Sequence, residues 1–195
     1  MTKAPKKKTP ATAKGKPQRR LPGDPNPAER LARIVRVDHA GEYGAVRIYE
    51  GQMAVLGKSA SAPIIRHMAE QERRHLEKFE RLVAERRVRP TVLMPVWHVA
   101  GFMLGAGTAL LGERAAMACT VAVEEVIDEH YQGQLDQIAE TDPELRQTVE
   151  EFRQDERDHR DTGLAQGAEQ APGYTAITGA VKAGSRLAIW LSERF

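Results

Sequence analysis

Apolar residues recur at helical spacing along almost the whole chain beyond residue 26. They return every three or four positions, as a helix with one buried face requires, and no stretch alternates apolar and polar residues as a strand would. Asn26 and Asp142, each followed by proline, are typical of helix starts. We therefore predict an all-α protein, with helices over about 27–56, 62–88, 113–140, 143–168 and 173–194 and an apolar segment over 90–112.

The charged residues are unevenly distributed. The chain of 195 residues has a formal net charge of +2, yet residues 1–20 hold eight Lys or Arg and no acid. The remainder carries 21 basic and 27 acidic side chains. A segment rich in Lys, Pro, Thr and Ala buries too little apolar surface to fold. We therefore predict a disordered basic tail over 1–25 and one helical domain over 26–195.

Composition also excludes several classes of protein. The single cysteine, Cys119, rules out an intramolecular disulfide and any metal site built on several cysteines. No apolar segment typical of a secretory signal is present in the first residues. The tail is rich in Lys and interrupted by proline, unlike a mitochondrial transit peptide, and this favours a bacterial source.

Each of the four long predicted helices carries residues of a metal-binding type on its apolar face. Continuing the helical spacing through these faces selects four Glu and two His: Glu42, Glu72, His75, Glu124, Glu156 and His159. Residues on such a face point into a bundle, and Glu and His three positions apart can reach one metal. The two Glu-x-x-His motifs follow the preceding Glu by 30 and 32 residues, which indicates two similar helical hairpins in succession.

The choice between the adjacent Glu124 and Glu125 rests on their heptad partners. Those of Glu124 are Met117, Tyr131 and Ile138, whereas those of Glu125 are Ala118, Gln132 and Ala139. Glu124 is thus the residue that faces inward. An interior carboxylate costs several kcal/mol unless it is paired or bound to metal. Four inward Glu therefore predict a site for two cations, which we interpret as two iron ions.

Several neighbouring residues are candidates for supporting the site. His39, His130 and Tyr131 lie close to ligand positions and are candidates for contacts behind the metal ligands or for a proton relay. Asp38 and Asp155 lie within about one helical turn of ligands. They either orient the histidine rings or form surface salt bridges.

The segment 90–112 contains 23 residues without a charge. This length allows a membrane span, but Pro95, His98 and four Gly interrupt it. A single span there would also place the two hairpins on opposite sides of a membrane and divide the metal site. We therefore predict a crossover helix between the hairpins that lies at a membrane surface or forms an apolar lid, with a buried core helix as the alternative. The amphipathic C-terminal helix and the basic tail also favour a lipid surface and a lipophilic substrate.

The chain resembles the demethoxyubiquinone hydroxylases of ubiquinone biosynthesis. The resemblance extends over essentially 30–195 and rests on the strings RVDHAGEYGAVRIYEGQMAVLG, RPTVLMPVWHVAGFMLGAGTALLG, MACTVAVEEVIDEHY, DERDH and SRLAIWLSERF. It implies a ferritin-like four-helix bundle over 26–195 that hydroxylates the ring of a demethoxyubiquinol with O2, using electrons ultimately from NADH or another reductant. It also implies two iron ions per subunit, with the family's ligands on Glu42, Glu72, His75, Glu124, Glu156 and His159.

The resemblance further implies a cellular setting and partners. We expect peripheral attachment to the cytoplasmic face of a bacterial inner membrane, with the matrix face of the mitochondrial inner membrane as the alternative. The expected partners are a polyprenyl quinol, the membrane surface and a lipid-binding protein of the same biosynthesis. A homo-oligomer stays open, and we expect no nucleic acid.

Other functions remain open on the residues alone. A di-iron oxidase of a different lipid or quinol has the same ligands, and ferritin-like iron storage has the same fold. Storage predicts a hydrophilic exterior, which the segment 90–112 opposes. A metal-free interaction protein would leave four inward Glu unpaired.

Overall fold

The computed structural model describes residues 25–138 and 142–195, and all regular elements in these ranges are helical. The prediction of an all-α fold is therefore confirmed, whereas the predicted disordered tail lies almost wholly outside the described residues. The elements are α1 (Pro27–Leu56), α2 (Ala62–Glu85), α3 (Met94–Leu110), α4 (Glu113–Ile138), α5 (Pro143–Ala165), a short 3-10 helix (Ala168–Gln170) and α6 (Tyr174–Ser192).

Two of the helices begin at side-chain caps that the sequence predicts. At the start of α1, Asn26 Oδ1 accepts a hydrogen bond from the Glu29 amide at 2.8 Å, and Glu29 Oε2 accepts one from the Asn26 amide at 2.7 Å. At the start of α5, Asp142 Oδ1 accepts from the Leu145 amide at 3.1 Å. These bonds satisfy amides that have no partner within a helix, which fixes where both helices begin.

Two helices end earlier than the periodicity predicts. α2 ends at Glu85 rather than near 88, because the chain turns at Arg87, whose φ is 52°. α5 ends at Ala165 rather than near 168, and the chain turns at Gly167, with φ of 80°, into the 3-10 helix. Both turns use the left-handed region, which stops a right-handed helix.

The core of the bundle lies between the hairpins α1–α2 and α4–α5. One cluster of buried residues surrounds Tyr49, Met68 and Met117 towards one end. A second surrounds Phe79, Tyr131 and Leu145 towards the other end. The metal-type residues selected from the sequence lie at helix positions between these clusters, so apolar packing on either side holds the four helices at a fixed separation there.

α3 packs along α1 through glycines. A Cβ at Gly105 would overlap the carbonyl oxygen of Ile48, and one at Gly51 would overlap that of Phe102, so both positions require a residue without a side chain. The outer face of α3 stays exposed; Val99 and Met103 are each about 60% accessible. The alternative of a buried core helix is therefore wrong. Among the described helices, none combines the length and apolar character needed to cross a membrane.

α6 covers α4 and meets the beginning of α3. Val181 is buried against α4, and Lys182 forms an ion pair with Glu125. Near the C-terminus, Trp97 Nε1 donates to Ser192 Oγ at 3.1 Å. α1, α3, α4 and α6 thereby enclose a groove on one side of the bundle.

Candidate metal centre

The structure brings all six residues selected from the sequence into one buried cluster. Each is at most 4% exposed, although they come from four different helices. Their possible ligand atoms form two overlapping groups, within each of which all atoms lie within 4.8 Å of one another. One group contains Glu42, Glu72, His75 and Glu156, and the other contains Glu72, Glu124, Glu156 and His159.

Glu72 and Glu156 belong to both groups. Each is the first residue of a Glu-x-x-His motif, and the two motifs lie on α2 and α5. A carboxylate offers two oxygens, so a residue shared between two groups can bridge two cations. One cation position is then completed by Glu42 and His75, and the other by Glu124 and His159.

The two histidines turn the same ring atom towards the cluster. His75 Nδ1 lies 3.2 Å from Glu156 Oε1, and His159 Nδ1 lies 3.0 Å from Glu72 Oε1. Each histidine thus approaches the shared carboxylate of the opposite hairpin. Neither His75 Nδ1 nor Glu72 Oε1 makes a hydrogen bond of good geometry to any described residue despite these distances. This is expected when the lone pairs of such nitrogen and oxygen atoms are directed to a common position between the side chains rather than to a hydrogen atom.

The other ring nitrogens of the histidines are held from behind. His75 Nε2 lies 3.0 Å from Asp155 Oδ2, and His159 Nε2 lies 3.2 Å from Gln71 Oε1. A donor at Nε2 leaves Nδ1 free to bind a cation, which is the usual arrangement of a metal-bound histidine. The role of Asp155 as an orienting residue was one of two alternatives from the sequence, and the structure favours it. Gln71 gave no signal in the sequence.

The pKa values in the cluster show that it is unfavourable to place several ionised carboxylates together in the interior. Burial, together with the charge of Glu156, raises the pKa of Glu72 to about 8. Burial likewise raises the pKa of Glu124 above its usual range. Burial acts oppositely on His159, but the adjacent carboxylates of Glu156 and Glu72 outweigh burial and raise the pKa of His159 to about 11. Protons thus offset the negative charge that cations would otherwise neutralise.

Two tyrosines donate to carboxylates of the cluster. Tyr131 Oη donates to Glu42 Oε1, and Tyr49 Oη donates to Glu124 Oε1 at 3.1 Å. Burial and the adjacent carboxylates raise the pKa of both phenols well above the usual value. Both tyrosines therefore act as neutral donors. Tyr49 was not among the candidates from the sequence, although it lies seven residues after Glu42 on the same helix face.

The other residues predicted to support the site differ in what they contact. His130 Nε2 lies 2.8 Å and Asp38 Oδ1 lies 2.6 Å from Gln134 Nε2. These three residues together form a buried polar group beside the cluster. Asp38 therefore contacts His130 rather than a histidine of the cluster, at 3.4 Å. His39 is buried, and no hydrogen bond joins it to the six residues in the described part of the chain. Burial lowers its pKa.

An apolar groove of about 380 Å³ leads towards the cluster. Its walls come from α1, α3, α4 and α6. A smaller cavity of about 30 Å³ lies between this groove and the carboxylates of Glu42, Glu72, Glu124 and Glu156. The groove and the cavity share six lining residues: Val37, Gly41, Ala45, Val123, Ile127 and Ile189. The cluster is therefore connected to an apolar space.

The donor set suits a pair of first-row metals. Four carboxylates and two imidazole nitrogens are ligands that iron and manganese accept, and no thiolate is present among them. Four helices that present Glu, Glu-x-x-His, Glu and Glu-x-x-His to one centre define the ferritin-like class of dinuclear carboxylate proteins.

The chain belongs to the family of the ubiquinone biosynthesis protein COQ7, whose family model matches residues 29–192. It is 60% identical over 176 residues to a 3-demethoxyubiquinol 3-hydroxylase of Rhodospirillum rubrum, covering 90% of this chain and 83% of the relative. It is 58% identical over 167 residues to a mitochondrial NADPH-dependent 3-demethoxyubiquinone 3-hydroxylase of Mus musculus, covering 84% and 77%. It is 42% identical over 181 residues to a mitochondrial 5-demethoxyubiquinone hydroxylase of Saccharomyces cerevisiae, covering 84% and 78%. The chain is thus a hydroxylating oxidoreductase of ubiquinone biosynthesis.

Proposed function

We propose that this chain is a di-iron monooxygenase that hydroxylates the ring of a demethoxyubiquinol, a 2-methoxy-3-methyl-6-polyprenyl-benzoquinol, with O2. The observation that carries the proposal is the continuity between the apolar groove and the carboxylate cluster through six shared lining residues. Relatives named as hydroxylases of demethoxyubiquinol or demethoxyubiquinone support this choice of substrate.

The groove suits a ring that carries a long isoprenoid tail. Burying each CH2 group of the tail contributes about 0.8 kcal/mol, so the apolar walls of the groove favour this part of the molecule. Trp97 Nε1 and the hydroxyl groups of Ser185 and Ser192 are polar groups of residues that line the groove but not the inner cavity. We therefore propose that the ring enters first and that the tail extends along the groove towards the surface. A bound tail also excludes water from the cluster.

The six residues Glu42, Glu72, His75, Glu124, Glu156 and His159 are the proposed ligands of two iron ions. Iron, when bound, supplies the one-electron chemistry that the reaction of O2 with an organic ring requires. The ligand types alone admit manganese as well. The electrons come from NADH or another reductant, and the name of the relative from Mus musculus specifies NADPH.

The residues around the ligands have positioning roles in this proposal. Asp155 and Gln71 hold the two histidine rings through Nε2. Tyr131 and Tyr49 fix the orientation of one carboxylate each. The polar group of Asp38, His130 and Gln134 is the proposed path by which protons reach the inner cavity, because Asp38 and His130 line this cavity. We assign no such role to His39.

The exposed face of α3 and the C-terminal end of α6 are the proposed membrane contact. Val99 and Met103 on α3 are about 60% exposed, and Leu187, Trp190 and Phe195 are about half exposed. Arg186 and Arg194 lie among these residues and would attract anionic lipid. We propose peripheral binding to the cytoplasmic face of a bacterial inner membrane, or to the matrix face of the mitochondrial one. The proposed protein partner is a lipid-binding protein of the same biosynthesis.

Metal analysis followed by an activity assay tests the function. Protein from iron-replete cells is expected to hold about two iron ions per chain and to convert demethoxyubiquinol to the hydroxylated quinol under O2 with a working electron donor. Absence of iron would refute the metal centre. Two iron ions without hydroxylation of this quinol, but with oxidation of another lipid, would refute the substrate and leave the centre in place.

Vesicle binding tests the membrane contact separately. Replacing Val99 and Met103 together with Asp is expected to abolish co-sedimentation with vesicles that contain anionic lipid. The matched control is Leu164→Asp on α5, which is also an exposed apolar residue but lies outside α3 and α6. Equal loss of binding in both variants, or no loss in either, would contradict the assignment of this face.

A further inference from the structure

Two glycines of α1 are not explained by packing. Gly41 and Gly44 lie in the interior of a helix of 30 residues, where glycine is less favourable than alanine. Gly51 on the same helix has a steric reason, because a Cβ there would overlap the backbone of α3. A Cβ at Gly41 or Gly44 would meet no atom within 4 Å. The protein itself therefore leaves room for a side chain at both positions.

The open space at these glycines is the apolar groove. Gly44 lines the groove only, whereas Gly41 lines both the groove and the inner cavity beside the carboxylates. Gly41 also directly precedes Glu42 in the chain. Gly41 therefore lies at the junction, which is the place where the groove meets the inner cavity. A ligand in the groove approaches the cluster through this junction.

The volumes indicate which part of a ligand lies at this junction. The inner cavity of about 30 Å³ is much smaller than the apolar cavity of about 150 Å³ that holds one benzene molecule in another protein. A substituted benzene ring therefore does not fit inside it. A ring that reaches towards the cluster must therefore rest at the junction itself, with one edge directed to the cavity.

We propose that Gly41 is a specificity-determining residue, whose missing side chain keeps the junction wide enough for a quinol ring with a methoxy substituent. The inference rests on the proposed function of the groove and adds to it the residue that sets the permitted size of the ring. A methyl group at position 41 would project into the junction and narrow it. A ring with a methoxy group would then be held further out, whereas a ring without one would still fit.

The test compares two quinones in Gly41→Ala and in a matched glycine variant. Gly179→Ala on α6 is the control, because a Cβ there also meets no atom within 4 Å and the residue lines neither space. The probes are a methoxy-methyl-benzoquinone, which has the ring substituents of the proposed substrate, and a methyl-benzoquinone, and both carry the same short isoprenoid tail. Trp97 lines the groove and reports binding by fluorescence quenching. Trp190→Phe serves as the common background, since it removes the other tryptophan of the chain.

In iron-loaded protein without reductant, Gly41→Ala is expected to raise the Kd of the methoxy ring about tenfold or more, in line with the effect of one added methylene in a tight pocket. The Kd of the ring without methoxy groups should change by less than about threefold. Gly179→Ala should change neither value. The melting temperature of Gly41→Ala should stay constant or rise by about 1–4 °C, because alanine is the better helix former.

Four outcomes overturn the inference. Equal loss of affinity for both rings shows a general structural effect, and so does a lower melting temperature with reduced quenching by both quinones. Unchanged affinity for the methoxy ring shows that position 41 does not limit the junction. If the protein with Gly41 intact binds neither quinone, the proposed function of the groove fails as well, and the two failures are thereby distinguished.

Discussion

The neighbouring residues Glu124 and Glu125 provide a sharp test of the metal centre. Glu124 is 2% exposed and belongs to the group that also contains Glu72, Glu156 and His159. Glu125 faces outward and forms an ion pair with Lys182, in which both side chains are about one-third exposed. Replacing either residue with Gln keeps the shape and removes the charge. The two variants thus change the same chemistry at a buried and at a partly exposed position of one helix.

The structure predicts effects of opposite sign on stability. The pair of Glu125 and Lys182 is partly solvated, so its loss should cost no more than about 1 kcal/mol, or about 2–4 °C in melting temperature. Burial raises the pKa of Glu124 above its usual range, so folding without metal requires either proton uptake at Glu124 or an unpaired interior charge, and both are unfavourable at neutral pH. The amide of Glu124→Gln has no such cost. Metal-free Glu124→Gln should therefore melt at the same temperature as the metal-free parent protein or higher.

Iron loading reverses this order. The parent protein and Glu125→Gln should each bind about two iron ions and gain stability from them. Glu124→Gln should keep about one iron per chain, gain less stability and lose hydroxylase activity, because one metal position lacks a ligand. Iron content, melting temperature with and without iron, and product formation are measured on the same preparations. Two iron ions in Glu124→Gln together with loss of iron in Glu125→Gln would refute the assignment of the inward carboxylate.

Three further predictions concern the surroundings of the centre. Tyr131→Phe removes the donor to Glu42 and should retain iron but lower activity about 10–100-fold; full activity would contradict its positioning role. Because the folded state raises the pKa of Glu72 from 4.5 to about 8, the stability that its proton contributes to metal-free protein is complete below pH 4.5 and lost as pH rises through 8. Thermal unfolding of chelator-treated protein should thus show a lower melting temperature at pH 9 than at pH 6, and the opposite trend would contradict burial of this carboxyl. Gly105→Ala, which forces α3 away from α1, should destabilise the protein by about 1–3 kcal/mol in a denaturant titration, whereas the exposed Gly107→Ala should not; equal effects would exclude the close helix contact.

The periodicity of the sequence was sufficient to predict the helices and the direction in which the ligand candidates face. Glu124 and Glu125 differ only in their heptad partners, and the structure places one inside and the other at the surface, as predicted. Such predictions succeed because a helix repeats every 3.6 residues, so that inward positions follow from local sequence. The starts at Asn26 and Asp142 followed from side-chain chemistry of equally short range.

Features that depend on contacts between distant helices were not predictable in this way. The crossing of His75 and His159 to the shared carboxylates of the opposite hairpins depends on how α2 and α5 face each other. Gln71 became visible as a partner of His159 only in three dimensions, because the two residues lie on different helices and 88 positions apart in the chain. The end of α5 depends on a left-handed turn at Gly167, and helical periodicity alone does not locate such a turn.

The sharing of Glu72 and Glu156 has a consequence for the origin of the fold. Each metal group takes three residues from one hairpin and the fourth from the other, so that neither hairpin alone holds a complete set. An ancestor with a single hairpin would have completed its sets only by pairing with a second copy of itself about a two-fold axis. Duplication and fusion of its gene would then yield one chain with two similar halves. The later divergence of the halves would leave Glu72 and Glu156 as the positions least free to change, since each belongs to both groups.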